Sequence, residues 1–518
     1  MAEPALIRAI TREIGGSPLA RRALSGGLPE WYASRPKGES GWSAAAEVVS
    51  TEFAGSRWLE ALVPAFGASG AALDRLSDSA HKNGIVVTGG QQPGLFGGPL
   101  YVLNKAITLL EMANALALAT GRPVAPVFWA ATDDADFAEA SHVSVVRRGC
   151  LDALAMDAPE VVGLSMARTP LGDVSAQYER LAEACGSAPA AGILSALRTA
   201  YSAGATVGGA YLSLLRSVLE PLGVAVLDAS HESVRRAGHE TMLRALAKAD
   251  GVADALSARS REIASRDLRP QVADVRNLSL VFETAGDGTR QRIPVSAASA
   301  AAKRDAAAML GPNVLLRPVM ERQILPTVCY IGGAGEVAYF AQVSAVAEAL
   351  GVAVPRIVPR WSGTLMESHI ESLLGELDAT MDDFVDPHAM EGRVAREGLS
   401  HDIRSAIGEL HATVDAVSGR LRNDSQTSEP LARSIGSMRA GVEHRLARLE
   451  RRYAAAVKRA GSDALRSVEL VRATLYPQGE PQERVLSFVP FLARYGSAVI
   501  DTIRTHAHEH VAHVIQGD

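Results

Sequence analysis

The chain has 518 residues, of which 47% are hydrophobic and 21% are charged, a balance typical of a globular protein with more than one structural unit. Its formal net charge of −6 argues against nucleic-acid binding, because contact with phosphates requires a basic face. The N-terminus carries Arg8, Arg12 and Glu13 where a signal peptide has an apolar core, and no uninterrupted apolar run is long enough to span a bilayer. We therefore expect a cytoplasmic protein with no nucleic-acid and no membrane partner.

The chain is predicted to alternate between a parallel-sheet core and insertions, and to end in helical segments. The predicted segments are 1–80 (helical, packing on the core), 81–150 (first part of the core), 151–204 (insertion), 205–231 (core strand and helix), 232–313 (second insertion with a hairpin), 314–364 (last part of the core), 365–474 (coiled coil) and 475–518 (C-terminal helices).

The core begins with a β-branched strand at residues 85–88, which enters a loop rich in glycine. A helical pattern from Leu100 to about residue 119 and a second strand, Val124–Ala130, follow. This order builds parallel sheets. Glycines let the backbone approach a ligand closely, and the N-terminus of the following helix offers N–H groups to an anion.

The first glycine loop matches neither the Walker A nor the G-x-G-x-x-G pattern. A tight structural turn and a ligand cradle both fit it, and Gln91 and Gln92 favour the cradle because amides both donate and accept hydrogen bonds. Lys105, just inside the helix, is a candidate cation for a carboxylate or phosphate. The alternative is an ordinary solvated lysine.

Asp133, Asp134 and Asp136 follow the second strand, at the end of a strand where ligands of open α/β sheets bind. The apolar strand before them favours partial burial of the first carboxylate, which could hold a substrate ammonium or act as a base. Surface charge is the alternative interpretation. His142 is either part of the same cleft or a structural histidine.

Further short apolar runs predict three more core strands, at Gly223–Leu227, Pro326–Ile331 and Arg356–Val358. In the second insertion, Ser279–Glu283 and Arg290–Val295 flank an Asp-Gly pair and predict an antiparallel hairpin.

Gly332, Gly333 and Glu336 repeat the strand–glycine–helix arrangement of the first loop. Two such turns in one sheet can face each other across a crevice, which is stronger evidence for a site than either turn alone. Arg317 and Arg360 are candidate anion anchors, because guanidinium groups bind carboxylate or phosphate through two hydrogen bonds. Either could instead be a structural ion-pair partner.

Two apolar stripes with spacings of four and three, Ile403–Leu421 and Leu431–Tyr453, predict coiled-coil helices joined by the polar stretch Asn423–Pro430. A bundle packed on its own core and a dimer-forming arm both fit this pattern. Beyond it, one helix is predicted from about Gln482 to Tyr495 and another to the C-terminus.

The three cysteines, Cys150, Cys185 and Cys329, are odd in number and fit neither a zinc pattern nor a disulfide framework. The histidine-rich tail fails the H-E-x-x-H test, because Ala512 stands at the position of the second histidine. No metal site is predicted.

The stretch GGQQPGLFGGPLYVLNKAI, followed by PVFWAATDDADFAEASHV, resembles the BshC family, the proposed cysteine-adding enzymes of bacillithiol biosynthesis. Further blocks agree in family order across most of the chain. They are LLRPVM at 315–320, YIGGAGE at 330–336, VPR at 358–360, LYPQG at 475–479 and QER at 482–484.

The resemblance implies an α/β fold with a Rossmann-like parallel-sheet core, connecting-peptide insertions and a long α-helical coiled-coil domain that pairs two subunits. It also implies a ligase that joins the carboxylate of cysteine to the amine of glucosaminyl-malate in the last step of bacillithiol synthesis. Amide formation from a free carboxylate normally consumes ATP through an acyl phosphate or acyl adenylate. ATP or ADP is therefore the expected cofactor.

In this interpretation the acidic residues hold or deprotonate the amine, while Lys105 and Arg317 receive the malyl carboxylates or an activated acyl group. The predicted catalytic residues are Asp133, Asp134, Asp136 and His142. The predicted substrate-binding residues are Gly89, Gly90, Gln91, Gln92, Asn104, Lys105, Arg317, Gly332, Gly333, Glu336 and Arg360.

Two positions depart from the common family pattern. Asn104 stands where PLYxxHK commonly has histidine, and Ala135 stands within an acidic motif that commonly contains one. Two other functions therefore remain open. One is a non-catalytic metabolite-binding homologue, and the other is a nucleotide-sugar or nucleotidyl transferase on a similar sheet.

Overall fold

A computed structural model of the chain describes residues 7–273, 277–304, 309–386, 388–424, 426–460 and 463–517. Parts of the predicted N-terminal segment, second insertion, coiled coil and C-terminal segment therefore lie outside the described residues. The chain forms two compact units. The first comprises Met1–Val145, Asp152–Met366 and Glu483–Asp518, and the second comprises Val146–Leu151 and Glu367–Gln482.

The described residues form twelve strands. They are β1 (Ile7–Thr11), β2 (Ile85–Gln91), β3 (Val124–Ala130), β4 (His142–Arg147), β5 (Cys150–Ala155), β6 (Ala225–Asp228), β7 (Leu278–Thr284), β8 (Arg290–Pro294), β9 (Leu310–Pro312), β10 (Thr327–Gly332), β11 (Ile357–Pro359) and β12 (Gly363–Glu367).

The α-helices up to the end of the sheet are α1 (Pro18–Leu24), α2 (Gly38–Glu52), α3 (Trp58–Phe66), α4 (Gly70–His81), α5 (Tyr101–Thr120), α6 (Phe137–Ala140), α7 (Ser175–Cys185), α8 (Gly192–Ala200), α9 (Val207–Leu219), α10 (Glu232–Ala247), α11 (Ala249–Ala264), α12 (Val295–Ala301), α13 (Arg317–Ile324) and α14 (Ala334–Leu350). The later helices are α15 (Ser368–Glu376), α16 (Ala389–Glu397), α17 (His401–Arg422), α18 (Glu429–Ala460), α19 (Asp463–Leu475), α20 (Gln482–Val485), α21 (Val489–Tyr495) and α22 (Ser497–Gln516).

The first unit is built on a five-stranded sheet with the order β11-β10-β2-β3-β6. All four strand pairs are parallel, so the five predicted strands and the predicted α/β class are confirmed. The chain passes from β2 to β3 on one side and later adds β10 on the other side of β2. The topological switch point, where open α/β sheets bind ligands, therefore lies between β2 and β10.

The sheet is covered by helices, which explains why its strands appear in the sequence as continuous apolar runs. Every residue of β3 is buried. Helix α5 packs on β2, β3 and α22, and it is the one helix in the described part of the chain that is long and apolar enough to cross a membrane. Most of α5 is buried within the first unit, so its apolar character is accounted for by packing.

The first glycine loop begins later than predicted, because β2 continues through Gly89 and Gly90 to Gln91. A Cβ atom on Gly90 would lie 2.3 Å from the backbone oxygen of Trp129 on β3. Glycine at position 90 is therefore required by the close approach of two strands. Positive φ values occur further on, at Phe96, Gly97 and Gly98.

Both ends of the chain differ from the prediction. Within the described residues, the N-terminal segment that was predicted to be helical also contains a strand, β1, which pairs with β12. The helix predicted from Gln482 to Tyr495 is interrupted between α20 and α21, because Leu486 accepts a hydrogen bond from the backbone N–H of Leu100 and Ser487 bridges Pro99. A backbone engaged in these bridges cannot continue the helical hydrogen-bond pattern.

The insertions carry small sheets of their own. The predicted hairpin is confirmed as β7 and β8, which pair antiparallel, and β9 adds a third strand on the other edge of β7. A second ribbon, β4 and β5, was not predicted, and it spans the boundary between the predicted core segment 81–150 and the predicted insertion 151–204.

The second unit contains the predicted coiled-coil helices, α17 and α18, which pack side by side. Polar contacts join them: Nδ1 of His411 lies 2.7 Å from the carboxylate of Glu443, and Arg439 forms an ion pair with Asp415 at 2.7 Å. The apolar stripes are only partly covered. Among the described side chains of these two helices, the large apolar ones that remain exposed are Leu410, Leu421, Leu431, Met438, Leu449 and Tyr453.

Candidate functional site at the carboxyl edge of the sheet

The carboxyl edge of the central strands brings most of the predicted site residues together, since parallel strands end at the same edge of a sheet. Gln91 ends β2, the acidic motif follows β3, Gly332 ends β10 and Arg360 follows β11. Helices α5 and α14 start from the two glycine turns on either side of the switch point.

Lys105 links the two turns. Its ammonium nitrogen Nζ donates to the backbone oxygen of Gly90 at 2.6 Å and to Oε1 of Gln91 at 3.0 Å, and it forms an ion pair with Oε2 of Glu336 at 2.6 Å. The side chain is only 1% exposed, so it is not a solvated lysine. Its three protons all have acceptors, and the role of substrate anchor remains a prediction.

Glu336 occupies the N-terminus of α14. Its Oε2 also accepts the backbone N–H of Gly333 at 2.6 Å, and its Oε1 accepts the hydroxyl of Tyr330 at 2.6 Å. Burial would raise the pKa of Glu336, but the charge and hydrogen bond of Lys105 hold that pKa below the ordinary glutamate value. A carboxylate of the protein itself thus lies where a helix N-terminus would otherwise bind a ligand anion.

The two predicted arginine anchors also have carboxylate partners. Arg317 contacts Glu321 at 2.8 Å and donates to the hydroxyls of Tyr330 and Tyr339 at 3.2 Å each. Arg360 binds both carboxylate oxygens of Glu483, at 2.8 and 2.7 Å.

Glu483, on α20, is the centre of a second buried network. Besides Arg360, it accepts hydrogen bonds from Nδ2 of Asn104 at 2.7 Å and from the hydroxyl of Ser362 at 2.7 Å. Burial opposes ionisation, but Arg360 and these donors lower the pKa of Glu483. Oδ1 of Asn104 is buried and has no hydrogen-bond partner among the described residues.

On the other side of β2, Gln92 reaches the acidic motif. Its amide Nε2 donates to Oδ2 of Asp134 at 2.5 Å, while Oδ1 of Asp134 accepts the backbone N–H groups of Ala135 and Asp136. These contacts connect Gly90, Asp134 and Gly333 along one edge of the sheet. The residues that link them are Gln91, Gln92, Lys105 and Glu336. Such a connection is what we expect if the two glycine turns face one site.

The other predicted acidic residues diverge from Asp134. Asp133 forms an ion pair with Arg290 of β8 at 3.6 Å, and burial raises its pKa although Arg290 opposes the shift. Asp136 caps α6 by accepting the backbone N–H of Glu139 at 3.1 Å. His142 is exposed, and its Nδ1 lies 2.9 Å from the backbone oxygen of Ala138. Their catalytic roles remain predictions.

Sequence reasoning missed Glu139 and Glu483. Both lie in sequence blocks on which the family resemblance depends, DDADFAEASHV and QER. Membership of these blocks is the sequence feature that could have identified them as site residues. Glu139 is exposed, and within the described part of the chain its carboxylate has no hydrogen bond or ion pair. Although solvent reaches this side chain, the surrounding protein partly desolvates the carboxylate, and this desolvation together with the charges of Asp136 and Asp134 raises the pKa of Glu139.

The carboxyl edge of the sheet has two chemically different parts. Around the switch point, all three predicted cations are neutralised by Glu336, Glu321 and Glu483, so these side chains do not form a ready site for the phosphates of a nucleotide. Beside them, the carboxylates of the acidic motif favour a substrate that carries an amine.

A separate cavity of about 500 Å³ lies in the first unit between α11 and the β7–β8 hairpin. Its polar lining includes Asp250, Asp254 and Gln342. The lining contains no predicted site residue, so this cavity is distinct from the carboxyl edge.

Comparisons with known proteins agree with the fold and with the resemblance. Residues 28–361 match the family model described as Bacillithiol biosynthesis BshC, N-terminal Rossmann-like domain. Residues 363–515 match the corresponding C-terminal coiled-coil domain.

Similar proteins named "Putative cysteine ligase BshC" occur in several bacteria. The chain is 32% identical to the protein of Koribacter versatilis over 86% of each chain. It is 31% identical to that of Heliobacterium modesticaldum over 84% of each chain, and 29% identical to that of Solibacter usitatus over 85% of this chain and 86% of the relative. The chain therefore belongs to the BshC family of bacillithiol biosynthesis, with a Rossmann-like domain followed by a coiled-coil domain.

Proposed function

We propose that this protein is a cytoplasmic ligase that joins the carboxylate of cysteine to the amine of glucosaminyl-malate and so forms bacillithiol. The names of its relatives support a cysteine ligase. The observation that carries the proposal is the meeting of two strand–glycine–helix turns at the switch point, joined by Lys105 and Glu336, beside an acidic motif suited to an amine.

The amine of the sugar would approach the edge where Asp134 and Asp136 lie, since carboxylates attract an ammonium group and lower the cost of desolvating it. Gln91 and Gln92 would contact polar groups of the substrate, although the amide nitrogens of both already donate hydrogen bonds to other residues of the protein. Ligand binding would therefore exchange some of these internal hydrogen bonds for bonds to the substrate.

The cysteine carboxylate requires activation, because a free carboxylate does not react with an amine to form an amide at a useful rate. We propose that ATP supplies this activation, with a phosphate-containing mixed anhydride of cysteine as the acyl donor. The paired state of Lys105, Arg317 and Arg360 means that the nucleotide would need cations other than these three.

The direct test incubates the purified full-length protein with glucosaminyl-malate and cysteine, in parallel with ATP, with ADP and without nucleotide. Bacillithiol is measured by mass spectrometry, and the expected result is product in the ATP arm alone. The absence of product in every arm, together with no binding of sugar or nucleotide by calorimetry, would refute the ligase assignment.

A second function, a non-catalytic binding protein, is favoured by one observation. Asn104 replaces the histidine common in the family, and its amide nitrogen is bound to the buried Glu483, so the group available for proton transfer at that position is lost. Binding of glucosaminyl-malate without turnover in any arm would favour this function. If Asn104→His then restores product formation, the loss of the imidazole is the cause.

We also propose that two copies of the chain pair through α17 and α18. The six large apolar side chains that are exposed among the described residues of these helices are the expected signature of a partner surface, and a second copy offers the same stripe. Light scattering should give a dimer mass for the wild type and a monomer mass for Leu431→Glu/Met438→Glu. A monomeric wild type would overturn the pairing.

A further inference from the structure

The first predicted insertion binds the backbone of the acidic motif. Directly after β3, the carbonyl oxygen of Thr132 accepts the backbone N–H of Ala167 at 2.9 Å. Two residues later, the carbonyl oxygen of Asp134 accepts the backbone N–H of Met166 at 2.7 Å. These two bonds fix the chain on both sides of one residue and leave the carbonyl of that residue to a different partner.

That partner is Arg290, on β8 of the second insertion. Its Nη1 donates to the carbonyl oxygen of Asp133, and its Nη2 lies 3.6 Å from Oδ2 of the same residue. Nη2 also donates to the carbonyl oxygen of Pro312 on β9 at 3.2 Å, and Cζ lies 4.4 Å from the centre of the Phe282 ring on β7. Arg290 therefore joins all three strands of the small sheet to the acidic motif.

The carboxylate of Asp133 faces this contact and not a space of substrate size. The cavity beside the pair, whose lining includes Trp129, Asp133 and Arg290, has a volume of about 10 Å³, which is room for about one water molecule. The side chains of Arg290 and Asp133 are 10% and 15% exposed. The carboxylate that meets Gln92 at the carboxyl edge is instead that of Asp134.

We propose that Arg290 is a positioning residue: by binding the carbonyl and the carboxylate of Asp133, it orients Asp134 toward the amine of the substrate. This inference rests on the function proposed above. One planar guanidinium that contacts two groups of the same residue fixes both the path of the chain and the rotation of the side chain. Because Asp134 is the next residue, the direction of its carboxylate follows from that path. The second insertion thus controls the amine-binding part of the site without contacting the substrate.

The test compares the full-length wild type with three variants. Arg290→Met removes the hydrogen bonds and the charge but keeps an unbranched side chain. Arg290→Met/Asp133→Asn also removes the buried carboxylate that would lose its ion-pair partner, so it supplies a folded protein if the single variant unfolds. The matched control is Arg304→Met, which removes an arginine of the same insertion that binds Glu283 of β7 at 3.0 Å.

Hydrogen exchange measured by mass spectrometry tests the positioning without a ligand. The informative N–H groups are those bound to the carbonyls of the motif, on Met166 and Ala167, and those bound to Oδ1 of Asp134, on Ala135 and Asp136. Without the arginine they should exchange about tenfold faster, the factor expected for the loss of one hydrogen bond to a charged group, while β10 stays as protected as in the wild type.

Arg304→Met should exchange like the wild type at all of these positions. Wild-type exchange in both Arg290 variants would overturn the inference. Wild-type exchange in the double variant alone would also overturn it, because the arginine would then only compensate the charge of Asp133.

Steady-state kinetics supplies the second measurement. Both Arg290 variants should raise KM for glucosaminyl-malate about tenfold and leave KM for cysteine and for ATP unchanged, because only the amine-binding part of the site is displaced. A mere loss of folded enzyme would instead lower the apparent kcat and leave every KM as it was.

An unchanged KM for glucosaminyl-malate in both variants would overturn the inference while leaving the ligase function intact. If the wild type forms no product, the ligase function fails, and the hydrogen-exchange comparison alone decides whether Arg290 positions the motif.

Discussion

The carboxyl edge of the first unit and the α17–α18 hairpin of the second unit use the same kind of interaction in opposite environments. At the edge, Arg360 and Glu483 are 7% and 4% exposed. In the hairpin, Arg439 and Asp415 are 48% and 56% exposed. Both pairs have an N–O distance of 2.7 Å, so the pairs differ in burial and not in separation.

This difference in burial determines how much each pair contributes to the stability of the fold. Removing one partner of a buried pair leaves an uncompensated charge in a region of low dielectric, which is strongly destabilising. An exposed pair gains little in water and costs side-chain entropy. The edge is therefore expected to be rigid and intolerant of charge changes, while the hairpin should accept them.

The largest effect is expected for Glu483→Leu. Arg360, Ser362 and Asn104 would all lose their acceptor, and the guanidinium of Arg360 would remain buried. We expect the free energy of unfolding to fall by about 3–5 kcal/mol, measured by urea denaturation of the full-length protein. A loss below about 1 kcal/mol would show that this network does not stabilise the core.

For Lys105→Met we expect a somewhat smaller loss of the free energy of unfolding, about 3 kcal/mol. Glu336 would still accept hydrogen bonds from the hydroxyl of Tyr330 and from the backbone N–H of Gly333. The double variant Lys105→Met/Glu336→Leu tests whether the two charges act together. It should cost clearly less than the sum of the single variants. Strict additivity in the double-mutant cycle would contradict a coupled pair.

Acid should weaken the first unit through the same residues. The folded-state pKa values of Glu336 and Glu483 are lowered, so their stabilisation is complete above the unfolded glutamate pKa of about 4.3. It is lost as pH falls through the folded-state values, by about 1.4 kcal/mol for each unit of lowering. Urea midpoints from pH 6 to pH 3 should show this decline, and Glu483→Leu should show a shallower one.

The smallest effect is expected in the hairpin. Arg439→Ala removes the exposed pair with Asp415 and should change the free energy of unfolding by less than about 1 kcal/mol. Added salt should reduce even this difference, because exposed charges are screened. A loss as large as that of Glu483→Leu would remove the contrast between the two regions.

Much of the first unit could be predicted because its signals are local. Five apolar runs bounded by turn residues became the five parallel strands, and the Asp-Gly pair marked the β7–β8 hairpin. The break at Ser487 could not be predicted, since the sequence around it is compatible with a helix. Its backbone instead bridges Pro99, far away along the chain.

The sequence by itself determined where the polar residues that follow the strands would lie. The carboxyl ends of parallel strands share one edge of the sheet, whatever the connections between the strands. Only the tertiary structure decided which of those groups are already paired. Glu336 lies 231 residues from Lys105, and Glu483 lies 123 residues from Arg360, so no local pattern could match the partners. Folding alone sets distance and burial, so it decides both the neutralisation of the cations and the absence of a partner for the Glu139 carboxylate among the described residues.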